Sequence, residues 1–510
     1  MNKFYVFLIL FSITALTYGQ SKKLAQIGEF SLENSGAIMN KESNVDGYYF
    51  FYLMDKLKKG KSGYGIQILD KNLNEIAFKK HIAAKNTYLK ASKYNENGVM
   101  FAFENSEENK INLVVFNKEA KKIRSKTFQL TKKEMLWNSV YSDGMVSMLS
   151  AIPNKGFLFT RMKDHKKHGY AITYIPTYKN TEGRWPRGWT YKSPPKANEL
   201  IIGTPIEVNE RFVVVLEHRR PGLYSRKTRY VVKILDANTG KEIASREDDD
   251  EIPKFITSAF LNTEDNLVLM GEYYDIGDNP IKDKSVGLFI ETIDSTGNSI
   301  KKNTASWEND IDPYLKNVNK EENEYIFFHK MVPMSNGKYY AIGEKYKKTA
   351  SVGGIALKIL TRGAASGSQL TITDVLIFEF DSNFKITNIS QFEKGKSNVP
   401  SATDLGSPQL NAFMLASMES FDHKYTQVDT ENNRFYSCFI DYERLKGEKN
   451  RTAFKTIIYD VGEFSEDKIF LDKKGVITKV FPGKLGHVVI LEYNKKEKSI
   501  ALRMEKLNID

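Results

Sequence analysis

TYLKASKYNENGVMFAFENSEENKINLVVFNKEAKKIRSKTFQL, residues 87 to 130, is the stretch that decides the fold. Thr87 to Tyr94 reads as a first strand, Gly98 to Glu104 as a second, Ile111 to Asn117 as a third and Ile123 to Leu130 as a fourth. Asn, Glu, Gly or Lys stands at each break. Four short strands in about 45 residues are the size of one propeller blade.

Working outward, one phrase from this unit returns along the chain: an apolar strand ends at Asp or Asn, turns, and restarts on Ile. It appears as Ile66 to Asp70 with Ile76, Val231 to Asp236 with Ile243, and Ile290 to Asp294 with Ile300. Weaker copies are Leu113 to Asn117 with Ile123, and Ile377 to Asp381 with Ile386. A strand-turn-strand phrase repeated at irregular intervals marks a radially repeated all-β fold. Central strands such as Phe212 to Leu216 and Val488 to Leu491 are apolar at consecutive positions. Both of their faces are therefore covered, as in a blade stacked between neighbours, whereas a two-sheet sandwich gives cleaner alternation.

The expected fold is an all-β propeller of about eight four-stranded blades, with seven as the alternative number. Gly156 to Met162 with Tyr170 to Pro176 reads as a degenerate third blade, and Lys347 to Thr373 as a swollen loop in the sixth. The last unit supplies only Val476 to Phe481, His487 to Tyr493 and Ile500 to Met504. The segment Ala25 to Glu33 is a spare strand expected to complete it, which would remove two exposed edges.

Lys3 precedes an apolar run from Phe4 to Leu16, and Thr17 and Gly19 supply small residues before Gln20. This reads as a signal peptide over 1–19 followed by a single domain over 20–510, exported to the periplasm or secreted. No other apolar run approaches the length of a transmembrane helix, and Cys438 is the only cysteine, so no internal disulfide can form. Charged residues make up 27 %, hydrophobic residues 41 % and aromatics 12 %, a folding composition. The formal charge of +12 is spread through Lys-rich turns such as Lys56 to Lys61. Nucleic-acid binding needs a concentrated basic face, so no such partner is expected.

No catalytic constellation stands out. The seven histidines include no His-Glu-x-x-His, and neither a nucleophile elbow nor a phosphate-cradling loop is present. His165 and His168 lie in a Lys-rich loop, where neighbouring cations repel a metal ion. Glu247 to Glu251, and Asp275, Asp278, Asn279 and Asp283, lack the spacing of a calcium loop and read as solvated turns. Gly363 to Ser368 reads as a flexible loop. No metal and no cofactor are expected.

The most suggestive segment is Arg184-Trp185-Pro186-Arg187-Gly188-Trp189-Thr190-Tyr191, inside a polar loop from Thr177 to Pro195. Exposed aromatics stack on sugar or peptide faces and Arg pairs with carboxylates, which makes Arg184, Trp185, Arg187, Trp189 and Tyr191 candidate ligand-binding residues. The alternative is that Trp185 and Trp189 plug a gap beside the degenerate blade. His218 to Arg229, with Arg219, Arg220 and Arg226, reads as a charged hairpin tip.

Through its signal and its Asp-turn-Ile phrase the chain resembles exported β-propeller-like proteins of unknown function from Gram-negative bacteria. The WD and kelch signatures are absent, and the resemblance carries over no functional residue. Two functions fit: a non-enzymatic binding or scaffold protein of the bacterial cell envelope holding an unknown protein or glycan, or a glycan-active hydrolase or lyase with carboxylates in the propeller channel.

Overall fold

In the computed structural model, the described residues are 20–508 without 26, 32–33, 41, 58–60, 85, 143–147, 164–168, 195–198, 222–228, 248–250, 263, 281, 316–323, 352–365, 405–406, 444–450 and 472–474, and without the side chains of 140–142. The leader 1–19, His165, His168, Arg226, the centre of the 247–251 acidic run and residues 363–365 of the small-residue stretch lie outside the described residues.

Eight antiparallel sheets of the expected size are present, the blades of a β-propeller. Each blade holds consecutive strands, hydrogen-bonded in chain order, except the eighth. The chain divides into two compact units, one containing residues 1–85, 118–121 and 473–510, the other 86–117 and 122–472.

The first unit holds blades 1 and 8. Blade 1 is Ser35–Met39, Val45–Leu57, Lys61–Asp70 and Glu75–Ala84. Blade 8 is Ile477–Pro482, His487–Asn494 and Ser499–Lys506, completed at its far edge by Ser21–Leu24, with Ser21 opposite Arg503 and Leu24 opposite Ile500. The closing strand thus comes from the amino terminus as expected, but from residues upstream of the expected Ala25–Glu33. Ile27 and Phe30 are three apart, out of step with a strand's period of two, and both are buried in the core between blades 1 and 8. There Tyr48, Phe50 and Leu69 of blade 1 meet Phe481, Val489 and Leu491 of blade 8.

The second unit holds six blades. Blade 2 is Thr87–Asn95, Gly98–Asn105, Lys110–Phe116 and Lys122–Gln129; blade 3 is Leu149–Ile152, Gly156–Met162, Tyr170–Pro176 and the short Thr190–Lys192. Blade 4 is Leu200–Val208, Phe212–Arg220, Arg229–Asp236 and Glu242–Glu247; blade 5 is Lys254–Leu261, Leu267–Tyr273, Gly287–Ile293 and Ser299–Ser306. Blade 6 is Tyr325–Pro333, Tyr339–Ala350, Ser368–Phe380 and Ile386–Phe392; blade 7 is His423–Asp429, Arg434–Glu443, Arg451–Asp460 and Glu463–Phe470. Within this unit the first strands of successive blades lie side by side, while fourth strands carry the exposed residues. Helices α1 (Lys132–Ser142) and α2 (Pro408–Ser417) sit in the connections to blades 3 and 7.

The recurring phrase has a shared cause. Asp70 Oδ1 accepts the backbone N–H groups of Asn72 and Asn74, and Asp236 those of Asn238 and Thr239. Asp294 accepts from Thr296 and Asn298, and Asp381 from Asn383 and Lys385. Each carboxylate closes the turn between third and fourth strands. Ile76, Ile243 and Ile300 then open the outermost strand and are exposed.

In blade 6 the expected loop from Lys347 is replaced at both ends by strand, reinforced by Ser397–Pro400, which pairs with Gln369 to Ile372. Thr349, Thr371 and Asn398 join their side chains across these three strands, the cross-strand bonding that β-branched threonines favour.

Candidate functional site

In the fourth strand of blade 2, Lys122–Gln129, side chains alternate so that Arg124, Lys126 and Phe128 share one face, while a bulge at Ile123 takes Lys122 out of that register. Phe128 is buried against Phe159 of blade 3, ring centroids 4.8 Å apart. Two cations flank its ring: the Arg161 guanidinium at 4.6 Å and the Lys126 ammonium at 5.2 Å. Further along the strand Arg124 lies 4.8 Å from the ring centre of Trp185, which Lys179 also approaches at 5.8 Å. The seam between blades 2 and 3 is thus a row of cations alternating with aromatic rings, in which each ring's negative face attracts its neighbours.

Trp185 reaches this seam on the loop between the third and fourth strands of blade 3. Asn180 closes a tight turn there: its Oδ1 accepts the Arg184 N–H at 2.8 Å, and its carbonyl accepts from Gly183, whose φ of +73° suits a residue without Cβ. Trp189 anchors the loop's other end by donating from Nε1 to the Ala237 carbonyl of blade 4 at 3.0 Å and stacking on Tyr174 at 5.6 Å. Gly240 lies so close that a Cβ there would be 2.4 Å from the indole. Tyr191 is buried and donates to Glu242 of blade 4 at 3.1 Å; burial, then that carboxylate, raises its phenol far above its usual range.

The five candidate residues therefore divide. Trp189 and Tyr191 seal blade 3 against blade 4. Trp185, 36 % exposed, faces blade 2, and Arg184 and Arg187 are exposed beside it. Arg184 approaches Glu182 at 3.4 Å across solvent. The expected polar loop 177–195 also contains a strand, because Thr190–Lys192 pairs with Ala171 to Thr173. Sequence reasoning passed over Arg124, Lys126, Arg161 and Lys179. The alternating Lys122, Arg124, Lys126 was a visible signal; their convergence with Arg161 and Trp185 was not.

Charge balance sets this seam apart. Lys233 pairs with Glu242, Arg246 with Glu291, Lys338 with Glu379 and Lys455 with Glu466. Among the described residues no carboxylate lies within ion-pair distance of Arg124, Lys126 or Arg161, and the buried Nε of Arg161 has no hydrogen-bond partner. Burial, then Arg161 and Arg124, pull the Lys126 ammonium below its ordinary value. Burial likewise lowers Arg161, opposed by the field of Glu134. Glu134 is already engaged. It accepts the Thr131 N–H at 2.9 Å in a capping box at the start of α1 and pairs with Lys163, which together keep it ionised against the cost of its burial.

A model described as a family of unknown function, DUF6770, matches residues 1–508. The chain belongs to that family. No curated protein matches this DUF6770 member by sequence. Among solved structures it is similar to the WD40 domain of SCAP from fission yeast, at 9 % identity and TM-score 0.38, covering 95 % of this chain and 98 % of that one. It is similar to prolyl oligopeptidase B from Galerina marginata, at 10 % identity and TM-score 0.37, covering 94 % of this chain and 56 % of that one, so that it spans little more than half the peptidase. It is also similar to an ulvan lyase from a new family of polysaccharide lyases, at 9 % identity and TM-score 0.33, covering 95 % and 96 %.

The DUF6770 chain carries a second polar feature. Glu104, Glu217, Glu272, Glu344 and Glu492 each stand six positions beyond the turn residue that opens a second strand, an internal register legible in the sequence but missed there. Glu217 accepts from Tyr170 at 2.6 Å and from Arg219. Glu272 accepts from Tyr274 at 3.0 Å, and burial pushes its carboxyl up to about 7 although Tyr274 and Ser285 oppose this. Glu344 meets His329 at 2.9 Å, the His423 N–H at 3.0 Å and Lys394 at 3.3 Å, and Lys394 in turn holds Asp422. The imidazoles of His329 and His423 stack at 4.6 Å across neighbouring first strands of blades 6 and 7. Glu344, Lys394 and Asp422 are fully or almost fully buried, a clasp that ties the connection 393–422 to blade 6.

No group of three metal-ligating side chains occurs among the described residues, and no helix there is long and apolar enough to cross a membrane. Asn279 closes on Asp283 through its own N–H, as expected of a solvated turn.

Proposed function

We propose that the chain is a non-enzymatic binding or scaffold protein of the bacterial cell envelope, exported by a signal peptide over 1–19 and acting as one domain over 20–510. Its ligand, a protein or a glycan, is held at the loop bearing Arg184, Trp185 and Arg187, which Trp189 and Tyr191 keep in place. The observation that carries this reading is the exposed Trp185 ring on a loop pinned at its base: a large aromatic held in the open and positioned at little entropic cost suits recognition. The glycan-active alternative would draw on Glu344 and Asp422, two carboxylates brought together by one lysine. Their burial and mutual engagement favour a structural role instead.

The test is a glycan and peptide array probed with residues 20–510, run beside a polysaccharide turnover screen. Binding without product, lost in Trp185→Ala with folding intact, is the expected result. Released product would establish the enzyme reading, and undiminished binding by Trp185→Ala would remove that residue from the site.

A further inference from the structure

We infer that the seam between blades 2 and 3 is an anion-binding site for an acidic glycan, with Arg124, Lys126 and Arg161 receiving its carboxylate or sulfate groups and Trp185 stacking on a sugar ring. This rests on the binding reading above and names its ligand class. The first support is the missing counter-charge. Three cations share one seam with no carboxylate in ion-pair range among the described residues, while Lys233, Arg246, Lys338 and Lys455 on blades 4 to 7 are each paired with a glutamate. Like charges brought together and partly desolvated raise the energy of the empty seam, and an incoming anion relieves it.

The second support is the orphaned Nε of Arg161, a buried donor that the protein leaves without a partner. Buried N–H groups are almost always satisfied, so an unmet one on a guanidinium beside Phe128 and Lys126 suits an acceptor brought from outside. The third is pre-organisation. Trp185 and Phe128 hold the Arg124 and Arg161 guanidinium groups over their rings at 4.8 and 4.6 Å, and a guanidinium placed in advance is suited to bidentate contact with a planar carboxylate or a sulfate. Arg124 and Lys126 are alternate residues of one extended strand, about 7 Å apart along it, so the row suits a linear ligand with regularly spaced charges.

Nucleic acid fits less well. Single strands are held by several open aromatic faces in a long basic groove, whereas of the two rings in this seam Phe128 is buried and Trp185 alone is partly exposed.

The experiment is calorimetry on residues 20–510 with four probes: polygalacturonate, dextran sulfate, neutral dextran and a single-stranded oligonucleotide. Polygalacturonate, dextran sulfate or both should bind, weakening steeply with salt, and neutral dextran should bind far more weakly. The ratio of the two anionic probes tells carboxylate from sulfate recognition. Arg124→Gln with Lys126→Gln should weaken binding by about tenfold or more, the scale of losing one charge-assisted contact. An unchanged melting temperature shows that the fold survives, and Arg161→Lys, which keeps the charge but loses the fork, should weaken binding in part. Neutral dextran binding as well as the anions, lost only in Trp185→Ala, would overturn the anion site and leave the binding reading standing. Tighter oligonucleotide binding, or a double variant that binds like the parent, would overturn it too. No binding to any probe, with a protein ligand found on the array, would remove the glycan assignment alone.

Discussion

Glu272 and His218 report on pH in opposite directions. Burial raises the Glu272 carboxyl to about 7, so between the unfolded value near 4.3 and about 7 the folded chain holds a proton that the unfolded chain has lost. Its burial is uncharged and harmless in acid and costs stability as pH rises, by about 3 kcal/mol once pH exceeds 7. Glu272→Gln should therefore gain melting temperature over the parent at pH 8 but not at pH 5; an equal difference at both would rule out the raised carboxyl. His218 is the converse. Burial, then Arg220, lowers its imidazole to about 4, and burial with His329 lowers His423 well below its ordinary value, against the pull of Glu344 and with Lys424 and Lys330 adding to it. Below about pH 6.5 the unfolded chain takes up protons that these folded histidines refuse, so stability falls as pH drops towards 4. Urea titrations at pH 7 and pH 5 should show this loss shrinking in His218→Gln; a loss of the same size would locate the acid sensitivity elsewhere.

The loop between the third and fourth strands of blade 3 separates support from contact. Trp189 is half-buried, hydrogen-bonded and stacked, so Trp189→Ala should cost about 2–3 kcal/mol, toward the low end for a large aromatic. Trp185→Ala, removing an exposed ring, should cost about 1 kcal/mol or less, the size of a surface cation–aromatic contact. Chemical denaturation of both variants is the check; equal losses would mean that Trp185 also serves as packing. This division was only half legible in the sequence. The clustering of Arg184 to Tyr191 drew attention to the segment, and both readings of its tryptophans were open, because each indole's partner, Arg124 or Ala237, lies on a different blade. Cations with no counter-ion are likewise a fact about three-dimensional neighbours. The turns were fully legible, since each Asp binds N–H groups two to four residues on, within the reach of local sequence.

At the scale of the whole molecule, blade number and strand order followed from the repeat, while the closing strand was displaced by several residues. Apolar Ile27 and Phe30 attracted the strand assignment, whereas Ser21–Leu24 pairs mainly through its backbone and carries little side-chain signal. Deleting residues 20–24 should lower the melting temperature and speed amide exchange in Ser499–Lys506, whose outward N–H and C=O groups would lose their partners. Exchange unchanged in that strand would show that the pairing adds nothing. The same pairing bears on biogenesis. Ser21 meets Arg503, so two segments nearly five hundred residues apart must find one another before this sheet is complete. Until the two segments meet, the edge of Ser499–Lys506 stays open as a template for foreign strands, so wrong pairing is most to be expected in partly folded chains that lack this one contact.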